Sequence, residues 1–549
     1  MANGTNWLSG LLQRRLCILV MTGILLVVGL VYWPVLGHDF VNFDDNLYVY
    51  ENEQLLQHGL SLAGIAWSFT TLLGGNWHPL TWLSHMVDVR LFGLNPAGHH
   101  LVNLLIHGAN TLLLFAFFRR ATGSIGRSAV VALLFALHPL HVESVAWVAE
   151  RKDLLYAFFW LVTMHLYIGY ARSPRQSAYL AMTAAFICSL LAKPMAMTLP
   201  AVLIIMDYWP LRRRAGEAGT NSTVLPARPV REKLPLFFLA GGVAAITIYA
   251  QNKSNSLASV DPGALSVNAG NAIISYADYL GKTLWPARLA VLYPFDPAAV
   301  TAPRVIAASI LLGAITIGVL RAGQRFPFLV FGWLWYIVTL LPVIGLLRVG
   351  DQAYADRYTY LPLVGIFVML VWGLHAAFAT IGARQSVRAA VTVVPIFLLA
   401  GVTSKQLAYW RNSLELFTHC LQAAGDSWVA HNNIGNALFL QGNVAEAAGH
   451  YRRAIELKPD MAVTYSNLGN TYRYNGFYSL ALDSFDRSIR VRPMNREAYY
   501  NRGLTYVELG DMERALKDYG VLKGIDPGLA EKLLLTISAR GTSAREAPH

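Results

Sequence analysis

His38-Asp39-Phe40-Val41-Asn42-Phe43-Asp44-Asp45 follows directly on an apolar run long enough to cross a bilayer. Two adjacent carboxylates just past the end of such a run lie close to the membrane surface, where the headgroup of a lipid-linked substrate would sit. An anionic pair held there is costly without a task. Other polar segments fall on the same side: Asn76-Trp77-His78-Pro79-Leu80, then Gly93-Leu94-Asn95-Pro96-Ala97-Gly98-His99-His100-Leu101-Val102-Asn103. The third apolar run ends in His138-Pro139-Leu140-His141-Val142-Glu143, and Glu150-Arg151-Lys152-Asp153 comes next. Carboxylates, imidazoles and cations therefore collect at one face of the membrane. Each also has a plainer reading. Adjacent aspartates usually form a solvated turn, His-Pro at a helix end is commonly a cap or kink, and arginines near span ends snorkel.

The elements that position these residues follow from composition. Of 549 residues, 55% are hydrophobic and 14% charged, against roughly 25% charged in a soluble domain. The mean hydropathy is +0.41, and 14 Trp, 26 Tyr and 24 Phe suit the aromatic belts of a multispanning protein. The formal charge of +12 resides mainly in short loops between apolar runs, which reads as membrane topology and argues against nucleic acid as a partner. Cys17, Cys188 and Cys420 are too dispersed for a disulfide framework or a zinc cluster.

Counting apolar runs predicts about eleven spans, near residues 16–36, 99–118, 128–142, 154–171, 176–192, 195–210, 234–251, 303–320, 326–347, 358–379 and 389–404. The first reads as an uncleaved anchor after Arg14 and Arg15. A cytoplasmic N-terminus puts Arg119, Arg120, Arg172, Arg321 and Arg325 on the inner side, as the positive-inside rule requires. The opposite side then receives residues 37–98, residues 252–302 and everything after about 405. Stretches 61–73 and 271–286 read as interfacial helices.

Beyond the membrane part the chain repeats every 34 residues: Pro459, Pro493 and Pro527 keep that spacing, as do Gly435, Gly469 and Gly503. Gly442, Gly476 and Gly510, and Ala447, Ala481 and Ala515, agree, and Tyr451, Phe485 and Tyr519 fill one aromatic position. This is the period of tetratricopeptide helical hairpins. The expected organisation is all-α: a polytopic membrane helix bundle over 1–405 with external loop 37–98, a linker helix over 406–427, and a solenoid over 428–540. The solenoid holds three repeats at 428–461, 462–495 and 496–529 and a capping helix near 528–538. Such stacks present a concave surface, usually to a peptide.

Taken together, Asp44-Asp45, Leu94-Asn95-Pro96 running into His100-Leu101-Val102-Asn103, His138-Pro139-Leu140-His141-Val142-Glu143 and Asp356-Arg357-Tyr358-Thr359-Tyr360-Leu361-Pro362 resemble bacterial relatives of the transmembrane and tetratricopeptide-repeat O-mannosyltransferases that act on cadherins. The resemblance implies a GT-C glycosyltransferase fold, a polyprenyl-phosphate sugar donor and an essential acidic residue in the first external loop. The chain departs from that pattern in having Lys193-Pro194 where the cadherin enzymes carry Lys-Glu, and in having about three repeats.

Under that reading a base must take the acceptor hydroxyl proton, and donors or a cation must steady the departing phosphate. Asp44 or Asp45 suits the base, its neighbour orienting it. Arg357, Arg151, Lys152 and Lys193 suit the phosphate, arginine for its fork of donors. His78, His138, His141 and Glu143 are expected at the substrate, and Asp44, His78, His138 and Arg357 to line one cavity. No metal is obligatory for a phosphate-monoester leaving group, and a divalent ion is compatible with it. The acceptor is a protein or glycan, recruited by the repeats on the periplasmic face of a bacterial inner membrane. The competing reading is a non-enzymatic membrane-anchored repeat scaffold for envelope assembly. A transporter, which needs ionisable groups at the bilayer midplane, fits poorly because the acidic residues sit at span ends.

Overall fold

The computed structural model describes residues 2–213, 227–254 and 262–546. Residues 255–261 of the expected external segment 252–302 lie outside the described residues. The chain divides into two compact units, Met1–Asn412 and Ser413–His549.

In the first unit the expected spans fall largely on helix, the end of the run near 326–347 being turn and bend. Among the described residues, seven helices are long and apolar enough to cross a membrane, including Leu12–Gly37, Pro96–Thr122, Val148–Arg172 and Leu363–Thr380. The run near 128–142 is a bent pair, Ile125–Leu137 and Pro139–Ala146, meeting at 55°. Pro139 explains the break, because it supplies no N–H to the preceding helix and its ring clashes with the turn before it. Three expected spans, near 176–192, 195–210 and 326–347, appear as the shorter apolar helices Gln176–Ala192, Pro194–Tyr208 and Pro327–Leu340. Helices also form at Leu62–Thr70 and Pro262–Leu284.

Two short devices set polar segments of this unit. Asn95 caps helix Pro96–Thr122, its side chain accepting from the Ala97 N–H at 3.1 Å with Pro96 in the first turn; the Leu94-Asn95-Pro96 motif is thus a helix start. Strand Tyr293–Pro294 pairs antiparallel with Gln352–Tyr354, and this places Asp356 and Arg357 at the end of the second strand's connection.

The second unit is a row of helical hairpins, Trp428–Leu440 with Val444–Leu457, Ala462–Tyr474 with Tyr478–Val491, and Arg496–Glu508 with Met512–Ile525, closed by Pro527–Glu546 and preceded by Ser413–Ala424. Two glycine registers do different work. Gly442, Gly476 and Gly510 turn the chain at φ +82°, +75° and +79°, conformations that a Cβ disfavours. Gly435 and Gly469 admit an aromatic ring: a Cβ there would stand 2.7 Å from Tyr451 and Phe485 respectively. In the third repeat the atom nearest Gly503 belongs to Leu533 of the capping helix, at 2.6 Å, and not to Tyr519. Gly469→Ala is therefore expected to destabilise the repeat unit by about 1–3 kcal/mol through overpacking, read as a lowered thermal midpoint of its helical circular dichroism.

Candidate functional site around Asp44 and Lys152

The segment 38–50 is tied down from several directions. Asp45, 1% exposed, accepts from the Val41 N–H at 2.9 Å through Oδ2 and from the Ala149 N–H at 2.8 Å through Oδ1. Trp147 donates its indole N–H to the Phe43 carbonyl at 2.7 Å, and the two rings stack at 4.9 Å. The Asp39 N–H donates to the Arg411 carbonyl at 2.9 Å. Between these ties Asp44 takes a left-handed backbone at φ +69°, which a short polar side chain tolerates better than a branched one.

Asp44 is half-buried, and among the described residues no hydrogen bond is made to its carboxylate. Lys152 and Arg357 act on it as cations and Glu150 as an anion; burial dominates and pushes its carboxyl above the usual range. Beside it lies a network in which three cations meet three acids. Lys152 Nζ stands 3.1 Å from Glu150, and Lys193 Nζ 3.2 Å from the other oxygen of Glu150 and 2.5 Å from Asp153. Arg357 reaches Glu143 at 2.5 Å and Glu150 at 3.2 Å, while its backbone N–H donates to Glu143 at 3.1 Å. Glu150 thereby joins all three cations. Aromatic faces line the same place: Lys152 Nζ is 4.6 Å from the Tyr48 ring centre, and the Arg357 guanidinium is 5.3 Å from that of Trp147. Burial would lower the Arg357 pKa, but Glu143, Tyr358 and Glu150 outweigh it and hold the guanidinium charged.

His78 stacks on Tyr48 at 5.4 Å, and its Nε2 is buried without a partner. Burial, then Lys152 and Lys193, keep it well below the usual histidine range, so the imidazole is neutral.

The other sequence candidates lie elsewhere. Arg151 is fully buried, and its guanidinium donates to Asp88 at 2.6 Å, to the His99 carbonyl at 2.8 Å, to Ser84 at 3.0 Å and to Asn103. Its donors are committed to protein partners, and the cations that act on Asp44 are Lys152 and Arg357. His138 is held by the Thr283 carbonyl at 3.0 Å and accepts from the Leu140 N–H at 3.3 Å, which makes it the cap of the turn at Pro139. It lines an apolar cavity of 510 Å³ with residues such as Leu134, Phe367, Leu398 and Val402, and that lining contains none of Asp44, His78 or Arg357. His141 is bonded to the Phe135 carbonyl at 2.7 Å and packs on Tyr360 at 5.1 Å. A metal-binding geometry occurs at His85, Asp88 and His99, whose ligand atoms all lie within 4.8 Å of one another.

Asp45 is a clamp, and its loss has an expected measure. Burial raises its carboxyl to about 8, against the lowering effect of the two N–H donors. The folded state thus holds the proton more tightly than an unfolded chain, whose aspartate titrates near ~3.9. Its contribution is complete below about pH 4 and is lost as pH rises through 8. Asp45→Asn turns an NH2 towards one of the two backbone donors, at an expected cost of ~1–3 kcal/mol. Thermal denaturation of the two proteins at pH 5 and pH 8 reads both effects; the variant lacks the wild type's fall between the two.

Two repeat profiles match the second unit, one described as TPR repeat over residues 435–476 and one as tetratricopeptide repeat over 466–530. The human protein O-mannosyl-transferase TMTC1 is 25% identical over 432 residues, 70% of this chain and 48% of that protein. Human protein O-mannosyl-transferase TMTC4 is 25% identical over 429 residues, covering 68% and 57%. Protein O-mannosyl-transferase Tmtc3 of Drosophila melanogaster is 23% identical over 455 residues, covering 70% and 49%. The chain is a relative of these O-mannosyl-transferases. It spans about half the length of the relatives it matches. With its apolar helices and these transferase relatives it is a membrane protein that carries tetratricopeptide repeats. Among solved structures, the hetero-tetramer Cut9–Hcn1 aligns at 14% identity over 93% of this chain and 98% of that chain with a TM-score of 0.24, too low to carry an argument.

Proposed function

We propose that this O-mannosyl-transferase relative is a GT-C glycosyltransferase. It moves a sugar, mannose by the names of its relatives, from a polyprenyl-phosphate donor to a protein or glycan hydroxyl on the non-cytoplasmic face. The observation that carries this is Asp44: a half-buried carboxylate with no hydrogen-bond partner among the described residues, held by the Asp45 clamp within the field of Lys152 and Arg357. The acceptor oxygen attacks the anomeric carbon as the carbon–oxygen bond to phosphate breaks. The bonding pair leaves with the polyprenyl phosphate, and the acceptor proton passes to Asp44. Arg357, Lys152 and Lys193 supply N–H donors to the phosphate, Glu143 and Glu150 fix their positions, and neutral His78 donates to a sugar or phosphate oxygen. The repeats recruit the acceptor through their concave face. The expected orientation, with the N-terminus cytoplasmic and the first loop and repeats periplasmic in a bacterial inner membrane, belongs to the same proposal.

The test offers the purified chain radiolabelled sugar on a polyprenyl phosphate, on a polyprenyl diphosphate and on a nucleotide, with an envelope extract as acceptor. Transfer from the monophosphate lipid alone is the expected result. Absence of transfer from all three donors, with cells harmed by deletion of residues 426–549 but not by Asp44→Asn, selects the scaffold reading instead.

A further inference from the structure

Helices Pro79–Phe92 and Pro96–Thr122 meet at a group of side chains that the transfer reading leaves unused. His85 and Asp88 are three residues apart on the first helix and so share a face. His99, in the first turns of the second, completes the group. All three are buried, with one ligand-capable atom from each within 4.8 Å of the others. Both ring nitrogens of His85 and Nδ1 of His99 are buried without a hydrogen-bond partner, a condition rare in native interiors. His99 Nε2 lies 3.1 Å from the Gly93 carbonyl, an oxygen that can only accept, so its proton is on Nε2. The Nδ1 lone pair is then free, 3.5 Å from Asp88 Oδ2. A carbonyl that fixes the tautomer of a histidine is the usual outer support of a metal-ligating imidazole. Arg151 orients the Asp88 carboxylate through the 2.6 Å bond to Oδ2.

We propose that His85, Asp88 and His99 bind one divalent transition-metal ion, with zinc the best match. Two imidazoles and one carboxylate form a mixed nitrogen and oxygen donor set suited to zinc and its neighbours, whereas magnesium and calcium take oxygen ligands. Three protein ligands leave a fourth position open. That position is open to water. The bound ion links the end of the first external loop to the second helix. Through Arg151 it also steadies the start of the helix that carries Lys152. This inference stands independently of the transfer reaction.

The full chain is purified in detergent, stripped with chelator and titrated with zinc and, separately, with cobalt(II). The wild type is expected to retain about one equivalent of zinc after dialysis, to show visible ligand-field absorption with cobalt, and to melt at a higher temperature when loaded. His85→Leu and His99→Leu replace partnerless buried nitrogens by apolar groups, and each is expected to weaken zinc binding by at least about tenfold. His375→Ala, at an exposed histidine, is expected to leave binding unchanged. Asp88 is kept intact so that Arg151 is not left unpaired. The cobalt spectrum of the wild type reads the site even if a variant folds poorly. Zinc retained equally by wild type and both leucine variants, or no retained metal and no cobalt absorption in the wild type, overturns the proposal.

Discussion

Asp44→Asn is expected to lower the turnover of sugar transfer by about 10²–10⁴-fold, the usual contribution of a positioned general base. The amide is isosteric, and the carboxylate it replaces has no hydrogen bond among the described residues, so thermal stability is expected to change little. Donor affinity should also hold, because the phosphate is assigned to Arg357, Lys152 and Lys193. A pH profile adds a signature that lost structure would not produce. Asp44 must be ionised to take a proton, and burial raises its carboxyl above the usual range. The rate should therefore rise with pH along a limb above the ordinary aspartate value near ~3.9. That limb should vanish in Asp44→Asn and persist in His375→Ala.

Arg151→Met is expected to produce the largest loss of stability, about 3–5 kcal/mol, because it leaves a buried carboxylate without its cation. The guanidinium gives Asp88 its 2.6 Å bond and also serves the His99 carbonyl, Ser84 and Asn103. Methionine fills much of the volume but supplies no donor. Replacing both partners, Arg151→Met with Asp88→Leu, should recover part of the loss, since a paired charge removed whole often costs little. Denaturation of the detergent-solubilised protein measures this series. A loss confined to donor affinity, with stability intact, would return Arg151 to the phosphate.

These two residues show what a sequence can disclose. The Asp44-Asp45 pair is visible as a motif, yet both carboxylates read alike in one dimension. Only the N–H groups of Val41 and Ala149 separate the clamp from the free carboxylate, and Ala149 is over a hundred residues away. Arg151 and Lys152 are adjacent in sequence, but successive helical residues point about 100° apart, and so the two cations enter different networks. His138 and His141 carry a motif whose structural reading, cap and packing, accounts for their bonds.

The repeats were the most legible part, because each 34-residue unit must meet its neighbours in the same way, and matches over 435–530 agree. The exception, Leu533 rather than Tyr519 nearest Gly503, occurs where helix Pro527–Glu546 packs against the third hairpin. Span positions were legible from apolar runs, whereas the bend after Leu137 and the three short helices depend on packing. His85, Asp88 and His99 gave no signal, since their approach depends on the turn at Gly93 that brings two helices together.

The central claim is that Asp44 is the base of a transfer from a lipid-phosphate sugar. It is tested most directly by following radiolabel from polyprenyl-phosphate mannose into acceptor with wild type, Asp44→Asn and Asp45→Asn prepared alike. The expected result is incorporation by the wild type, almost none by Asp44→Asn despite an unchanged melting temperature, and an Asp45→Asn protein whose loss follows its lowered stability. Incorporation by Asp44→Asn at the wild-type rate would contradict the account.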